Sequence, residues 1–306
     1  MSQAPAAMAA DQLAAVKQHL SALGIGYKEP YPGVLIVDKF AEKALSIDPA
    51  GVLDRLMEEA PVRRAGDTIT PGELQWVDGD NENLMYRGNV LRRMKIWLQD
   101  GPPKDGTLIY SYTGYTYAVA PATSDWNADP ELAAMCQLYN KFISMIPGAP
   151  DANHAIVTAY VDGKCSIGMH SDKTHSLHDD TIISVLKLGG ASRRFCIRER
   201  IVKFPTGMGQ AEKAALQGAK PMLFDEDVAS GDLIIMTAEA NHKTQHGVPE
   251  LETADAVGLS GSIVWRTAVK MLTPEELAKK IAVTEAGRAK RKAAKSGTRA
   301  QKRARA

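Results

Sequence analysis

The second half of the chain consists largely of short runs of β-branched and aliphatic residues separated by Gly, Asp and Ser. Runs of this kind are typical of β-strands, and several short strands in succession predict a sandwich or a barrel. Five runs carry this pattern: HAIVTAYV (154–161), TIISVLKL (181–188), RFCIR (194–198), DLIIMT (232–237) and GSIVWRTAV (261–269). The sequence therefore predicts a β-rich core after residue 153.

Helical patterns precede these runs. Residues 9–23 and 47–58 carry apolar residues at helical spacing. Asp129-Pro130 predicts the start of a third helix, because Asp is a favoured N-cap and Pro is tolerated in the first turn. Helices followed by a series of strands indicate the α+β class.

The composition is that of a globular protein. The 306 residues are 44% hydrophobic and 24% charged, which is enough for one large core. No run of about 18 uncharged apolar residues occurs, so we expect no membrane span. The N-terminus lacks the pattern of a secretory signal, and three scattered cysteines without a Cys-x-x-Cys motif fit a reducing compartment. We expect a cytoplasmic protein and a monomer.

The charge is distributed unevenly along the chain. The net charge is +1, but residues 279–306 carry eleven Lys and Arg and a single acid, Glu285. A last helix is predicted to start at Thr273, where Thr-Pro-Glu-Glu has the capping-box pattern. We expect the basic tail that follows to be disordered. It could bind nucleic-acid phosphates, act only as a solubilising segment, or serve as a targeting signal, which would be nuclear in a eukaryotic or viral protein.

The segment His170-Ser171-Asp172 has the spacing of a metal site. Alternate residues of a strand share one face, so His170 and Asp172 can point to the same ion. A distant histidine would complete a 2-His-1-carboxylate triad, which suits non-haem Fe(II) because it leaves coordination positions open. His246 is our choice for this ligand, since it follows the apolar run DLIIMT and precedes Gly-Val-Pro, and His242 is the competing candidate. Arg266 ends the next run, where a cation could hold a cosubstrate carboxylate.

Several motifs of the chain occur in the order and spacing of one enzyme family. They are Tyr160-Val161-Asp162-Gly163 with Ile167-Gly168-Met169-His170-Ser171-Asp172, the segment 183–189 with Arg194-Phe195, the segment 231–249, the segment 262–266, and upstream Tyr112-Thr113-Gly114 with Pro121 and Trp126. Over about residues 90–270 the chain resembles the AlkB family of 2-oxoglutarate- and Fe(II)-dependent dioxygenases. Within that family it is most similar to the duplex-DNA repair demethylases.

The resemblance implies a double-stranded β-helix with flanking helices and a nucleotide-recognition lid. It also implies an Fe(II) centre held by His170, Asp172 and His246, with 2-oxoglutarate and O2 as cosubstrates. The implied reaction is oxidative demethylation of N-alkylated bases in nucleic acid, and such a base must leave the duplex stack to reach a buried iron. The implied domains are an N-terminal extension (1–60), a lid-like region (61–128), the catalytic core (129–272), and a C-terminal helix with the basic tail (273–306).

A basic and aromatic run lies inside the lid-like region. Its residues Arg92, Arg93 and Trp97 could contact phosphates or a flipped base. The alternative is an ordinary amphipathic strand.

Three positions depart from the family pattern. Thr158 replaces an Asn two residues before Tyr160, Ser260 replaces the first Arg of the last motif, and Thr174 replaces an acid that helps to recognise the base. The resemblance places positions 158, 160, 260 and 266 among the cosubstrate contacts and position 174 among the substrate contacts.

The arginine missing at position 260 would leave a 2-oxoglutarate carboxylate without its charged partner. Binding could be weaker, the pocket could hold a different ligand, or another cation could substitute. Lys187 is our candidate for that cation, because it is a lone lysine inside an apolar run, although it could also face outward. Two other functions stay open: an oxygenase of the same fold acting on a protein, lipid or modified nucleotide, and a binding module that has lost turnover.

Overall fold

The computed structural model describes most of the chain before the basic tail. The described residues are 5–63, 73–77, 84–86, 89–102, 109–110, 115–117, 123–174, 176–251, 258–269 and 271–273, together with 275, 276, 279, 282, 283 and 286.

The described helices are α1 (Pro5–Ala22), α2 (Pro49–Glu59), α3 (Pro130–Ile143), α4 (Gln210–Gly218) and α5 (Ala238–Lys243), with a π-helical turn at Ala41–Leu45 and a 3-10 turn at Trp126–Ala128. The described strands before α3 are β1 (Tyr27–Tyr31), β2 (Val34–Val37), β3 (Val62–Arg63), β4 (Trp76–Val77), β5 (Leu84–Tyr86), β6 (Asn89–Val90), β7 (Met94–Gln99), β8 (Ile109–Tyr110), β9 (Tyr115–Tyr117) and β10 (Thr123–Asp125). Those after α3 are β11 (His154–Tyr160), β12 (Ile167–His170), β13 (Ile182–Leu188), β14 (Arg193–Glu199), β15 (Met222–Val228), β16 (Leu233–Thr237), β17 (Thr244–Val248), β18 (Ser260–Arg266) and β19 (Met271–Leu272).

Two sheets form the centre of the structure. The main sheet has the strand order β1-β2-β16-β13-β18-β11-β7-β4-β3, with β10 beside β7, and the second sheet has the order β12-β17-β14-β15. From β11 to β18 the chain passes back and forth between these sheets, with antiparallel pairing throughout. Eight strands paired in this way form a double-stranded β-helix, or jelly roll. The predicted α+β class with a jelly-roll core and N-terminal helices is confirmed.

Alternation along the central strands separates a helical layer from the interior between the sheets. On β18, Ile263 and Trp265 pack into the core beneath the helices, whereas Ser262 and Arg266 line the space between the sheets. Tyr139 of α3 stacks on Trp265 with ring centroids 4.2 Å apart. Because both faces are covered, the central strands read in the sequence as nearly continuous apolar runs.

The predicted elements correspond well to those of the structure, with one difference in the region before α3. The five predicted runs form β11, β13, β14, β16 and β18. Met94–Gln99, inside the region predicted to be lid-like, is the buried strand β7 and pairs with β11 in the main sheet. Residues 94–99 therefore form a strand, which was the alternative interpretation, and this part of the predicted lid belongs to the main sheet.

The C-terminal predictions are covered only in part. Thr273 and Glu276 exchange the two reciprocal hydrogen bonds of the predicted capping box. The predicted disorder and phosphate contacts of the basic tail concern residues that lie almost entirely outside the described ones. No described helix combines the length and apolarity that crossing a bilayer requires.

The start of α3 shows why Asp129 was a strong helix signal. Its Oδ1 accepts hydrogen bonds from the backbone N–H groups of Glu131 (3.0 Å) and Leu132 (2.8 Å). Its two carboxylate oxygens also receive the guanidinium of Arg55, at 2.9 Å and 2.5 Å, which ties α2 to α3.

We expect Asp129→Ala to lower the free energy of unfolding by about 1–2 kcal/mol, the usual effect of losing an N-cap. Asp129→Asn keeps a capping oxygen while losing the ion pair, so it should be less destabilising. Urea denaturation checks both, with Asp54→Ala on the exposed face of α2 as control. Equal losses in the Asn and Ala variants would show that the ion pair outweighs the cap.

Candidate active site

The two histidines of the sequence motif lie side by side on neighbouring strands. His170 ends β12 and pairs in register with His246 of β17, and their ring centroids are 4.5 Å apart. This close approach depends on Gly247, because a Cβ there would lie 2.7 Å from the carbonyl oxygen of Ile167 and 3.1 Å from the backbone nitrogen of Met169. The glycine after His246 therefore lets β12 lie tightly against β17.

Asp172 is held through its backbone by Asn241, a residue that no sequence motif singles out. Its N–H donates to Oδ1 of Asn241 (2.8 Å), and its carbonyl accepts from Nδ2 of Asn241 (2.9 Å). The hydroxyl of the neighbouring Ser171 donates to the carbonyl of Thr244. Asn241 lies on α5, five residues before His246, so α5 and β17 together position the carboxylate and the second histidine.

A buried ion pair joins the carboxylate to the last strand. Nη2 of Arg266 lies 2.8 Å from Oδ2 of Asp172, and both side chains are about nine-tenths buried. Burial by itself would raise the pKa of Asp172, but Arg266, followed by His170 and His246, holds that pKa well below its ordinary value. Asp172 is therefore ionised throughout the physiological pH range.

His246 presents a neutral nitrogen to the site. Burial lowers the pKa of His246 to about 3, and the nearby His170 acts in the same direction. Nδ1 of His170 lies 2.9 Å from the carbonyl oxygen of Gly168, an arrangement that makes Nδ1 the donor and leaves Nε2 available for coordination.

One donor atom from each of His170, Asp172 and His246 falls within 4.8 Å of the others. Two imidazoles and one carboxylate on one side of an ion are the ligand set of a non-haem Fe(II) site. The residues present therefore fit this metal.

A cavity of about 440 Å³ extends from this cluster into the space between the sheets. Lys187 stands in its wall and is 6% exposed. Its ammonium donates to the hydroxyl of Ser260 and to the carbonyls of Leu188 (3.0 Å) and Gly261 (3.2 Å). The lysine is therefore directed inward, next to the position where the family pattern has an arginine.

Two further predicted cosubstrate residues lie in the same wall, whereas Ser260 is fully buried and does not line the cavity. Thr158 and Tyr160 line the cavity from β11. Burial raises the pKa of Tyr160 to about 12, so its hydroxyl stays protonated and can donate a hydrogen bond.

Arg193 also lines this part of the cavity. The predicted motif contains its neighbour, Arg194, instead. Arg193 lies over the ring of Tyr160 at 5.4 Å and donates to the carbonyls of Asp162, Cys165 and Pro249. Arg194 instead pairs with Asp225 at the surface. The order of alternating faces along β14 was the available signal for this distinction.

Only one of the four predicted substrate residues lines the cavity. Arg93 does so, whereas Arg92 is exposed and lies outside the lining. Trp97 is 1% exposed and packs in the core, so it presents no free face on which a base could stack. Thr174 is exposed beyond the cavity. Trp97 was predicted to contact a base because basic and aromatic residues in a row resemble a binding surface in sequence. The buried strand β7 carries the same pattern.

The jelly roll and the His-Asp-His cluster define the class of the non-haem iron oxygenases. The chain matches the model of the 2OG-Fe(II) oxygenase superfamily over residues 97–286 and belongs to that superfamily. It is thus a dioxygenase that depends on Fe(II) and 2-oxoglutarate and consumes O2.

The solved structures that match the chain are distant in sequence. OsALKBH1 is 14% identical over 79% of this chain and 100% of its own, with a TM-score of 0.41. An oxidoreductase of the 2OG-Fe(II) oxygenase family from Burkholderia pseudomallei is 14% identical over 85% and 91%, also with a TM-score of 0.41. A prolyl-4-hydroxylase from Pseudomonas putida is 18% identical over 83% and 98%, with a TM-score of 0.35. A search of curated proteins finds no match.

Loss of a residue that hydrogen-bonds to a metal ligand typically weakens metal binding by roughly 10–100-fold. We expect His246→Ala to weaken Mn(II) binding by more than this, because it removes a proposed ligand itself. Isothermal titration calorimetry on the metal-free protein measures this without catalysis. His242→Ala is the matched control, because His242 is exposed on α5 and should leave the affinity unchanged. If only the His242 variant lost Mn(II) binding, His242 and not His246 would be the second histidine ligand.

Proposed function

We propose that His170, Asp172 and His246 hold the Fe(II) of this oxygenase, and that Lys187 and Arg266 hold the carboxylates of 2-oxoglutarate. The observation that carries the second part is the contact of the Lys187 ammonium with Ser260. When bound, Fe(II) and 2-oxoglutarate supply the oxidising chemistry by activating O2. The protein binds, orients and shields the reactants.

Strand register explains how Lys187 can replace the arginine missing at position 260. Lys187 pairs with Ser262 across β13 and β18, and position 260 lies on the same face of β18, two residues away. A long side chain from β13 therefore brings its charge to the place from which an arginine of β18 would extend. A charged donor there can make a charge-assisted hydrogen bond to a carboxylate.

The charge of Lys187 depends on pH near neutrality. Burial, together with the nearby Arg193, lowers the pKa of Lys187 to about 7. The ammonium is present below that pKa and is lost as the pH rises through it, so carboxylate binding through Lys187 should weaken in that direction.

We expect Lys187→Ala to raise the dissociation constant of 2-oxoglutarate by about 10–100-fold, the equivalent of one charge-assisted hydrogen bond. In the wild type the affinity should decline above pH 7, whereas Lys187→Arg should bind with little pH dependence because a guanidinium keeps its charge. Calorimetry with the Mn(II)-loaded protein measures these constants.

Lys141→Ala, on the exposed side of α3, is the control for this measurement. Tight binding of 2-oxoglutarate by Lys187→Ala would exclude the role proposed for this lysine.

The finer proposal concerns the substrate: we infer oxidative removal of N-alkyl groups from nucleic-acid bases. Its support is the order of motifs shared with the AlkB demethylases, together with Arg93 in the cavity wall and the basic tail 279–306. Hydroxylation of an N–CH3 group gives N–CH2OH, which releases formaldehyde and leaves N–H. A base in a duplex must be flipped out for this to occur.

A second candidate is an oxygenase of the same fold that acts on a different, negatively charged substrate. The charge of the cavity favours it: six Lys and Arg side chains line the described wall, against the single acid Asp172. Thr174, which stands in place of the base-recognising acid, adds no negative charge.

We expect wild-type protein supplied with Fe(II), 2-oxoglutarate and O2 to release formaldehyde from oligonucleotides that contain N1-methyladenine or N3-methylcytosine. His170→Ala should release none, because it lacks a proposed metal ligand. Formaldehyde and succinate are quantified in the same samples. Succinate without formaldehyde from any methylated oligonucleotide would exclude the demethylase and leave the oxygenase.

A further inference from the structure

Lys95 is a buried lysine with no assigned role in the proposed chemistry. It lies on β7, is 6% exposed, and lines the cavity. Among the described residues, no hydrogen bond or ion pair to its ammonium is found. A buried polar group without a partner is costly, so a site of this kind is built to be completed by a ligand.

Four other basic side chains of the cavity wall already donate hydrogen bonds to groups of the protein. Arg266 pairs with Asp172, Lys187 donates to Ser260, and Arg193 donates to three backbone carbonyls. Arg93 directs one nitrogen to the carbonyl of Ser166 at 2.6 Å. Lys95 therefore offers an ammonium whose hydrogen-bonding positions the described residues leave unused, so a ligand can take them.

Lys95 and Lys187 stand on opposite sides of the cavity floor. The pairs Lys95–Thr158, Thr158–Ser262 and Ser262–Lys187 form one row across four adjacent strands. Three steps of about 4.8 Å separate the backbones of the two lysines by roughly 14 Å. One short diacid bound at Lys187 would thus leave Lys95 for another group.

Lys95 lines the same cavity as the proposed metal ligands His170, Asp172 and His246. After burial, Arg93 and Arg266 lower the pKa of Lys95, while Asp172 raises it. The charge that acts on Lys187 is instead Arg193. A substrate that reaches the proposed metal ligands therefore enters the cavity that Lys95 lines, and Arg93, the residue directly before β7, lines that cavity as well.

We propose that Lys95, with Arg93 beside it, binds an anionic group of the primary substrate, a carboxylate or a phosphate monoester. This inference rests on the proposed oxygenase function but not on a nucleic-acid substrate. Apolar side chains, among them Ile156, Val264 and Phe195, form much of the remaining wall, so the substrate class is an anion carried on an apolar or aromatic body. A phosphate beside a flipped nucleotide would satisfy the site, whereas a cationic base alone would be repelled.

The test uses the full chain loaded with Mn(II) and 2-oxoglutarate, so that binding is measured without turnover. Two matched probe pairs are titrated by calorimetry: phenylacetate against phenylacetamide, and adenosine 5′-monophosphate against adenosine. We expect the anionic member of at least one pair to bind about 10–100-fold more tightly, as one charge-assisted hydrogen bond would give. The pair that shows the preference identifies carboxylate or phosphate as the source.

Lys95→Met should abolish this preference, Lys95→Arg should keep it, and Lys141→Met should leave it intact. The dissociation constant of 2-oxoglutarate itself should be unchanged in Lys95→Met. No preference for the anion in either pair, or a preference that survives Lys95→Met, would overturn the proposal. A loss of 2-oxoglutarate binding in Lys95→Met would overturn it as well, by making Lys95 a cosubstrate residue.

Failure of the oxygenase function has a different signature. It would appear as absent Mn(II) or 2-oxoglutarate binding in the wild type, before any probe is added.

Discussion

The site is organised around the buried ion pair between Asp172 and Arg266. A lone carboxylate in this interior would take up a proton, and a lone guanidinium would be strongly destabilised. Together they keep the carboxylate ionised and join β18 to the loop after β12. The imidazole of His246, which burial keeps neutral, lies beside this carboxylate, an anion that can attract a metal ion. Arg266 also lines the cavity, so the residue that keeps Asp172 ionised can also recognise an anionic cosubstrate.

Most of the fold could be predicted from the sequence, because its central strands are covered on both faces and leave long apolar runs. The turn residues between the runs and the Asp129-Pro130 helix start gave the order of elements. The interpretation of 61–128 was weaker. A strand such as β7 carries Lys95 toward the cavity and apolar residues toward the core, and in sequence this alternation cannot be told from a basic, aromatic binding loop.

The candidate site could be predicted where chemistry requires a residue type at a fixed spacing, as in His170-x-Asp172. It could not be predicted where the role depends on a contact between distant backbones. Asn241 holds Asp172 through two hydrogen bonds to its peptide group, which no side-chain motif records. Lys187 could be predicted only in part. The missing arginine at position 260 indicated that another cation was needed, and strand register brings Lys187 to Ser260.

Charge balance connects these features to the choice of substrate. Fe(II) and doubly ionised 2-oxoglutarate cancel each other, so loading the site leaves the balance of its wall unchanged. That wall carries six basic side chains and one acidic side chain among the described residues. Burial and the neighbouring arginines shift Lys95 and Lys187 toward their neutral forms, which reduces repulsion among the cations of the wall. An entering anion restores their charge and gains from the low dielectric. Because the wall has more basic than acidic side chains, it would favour an anionic substrate over a cationic one.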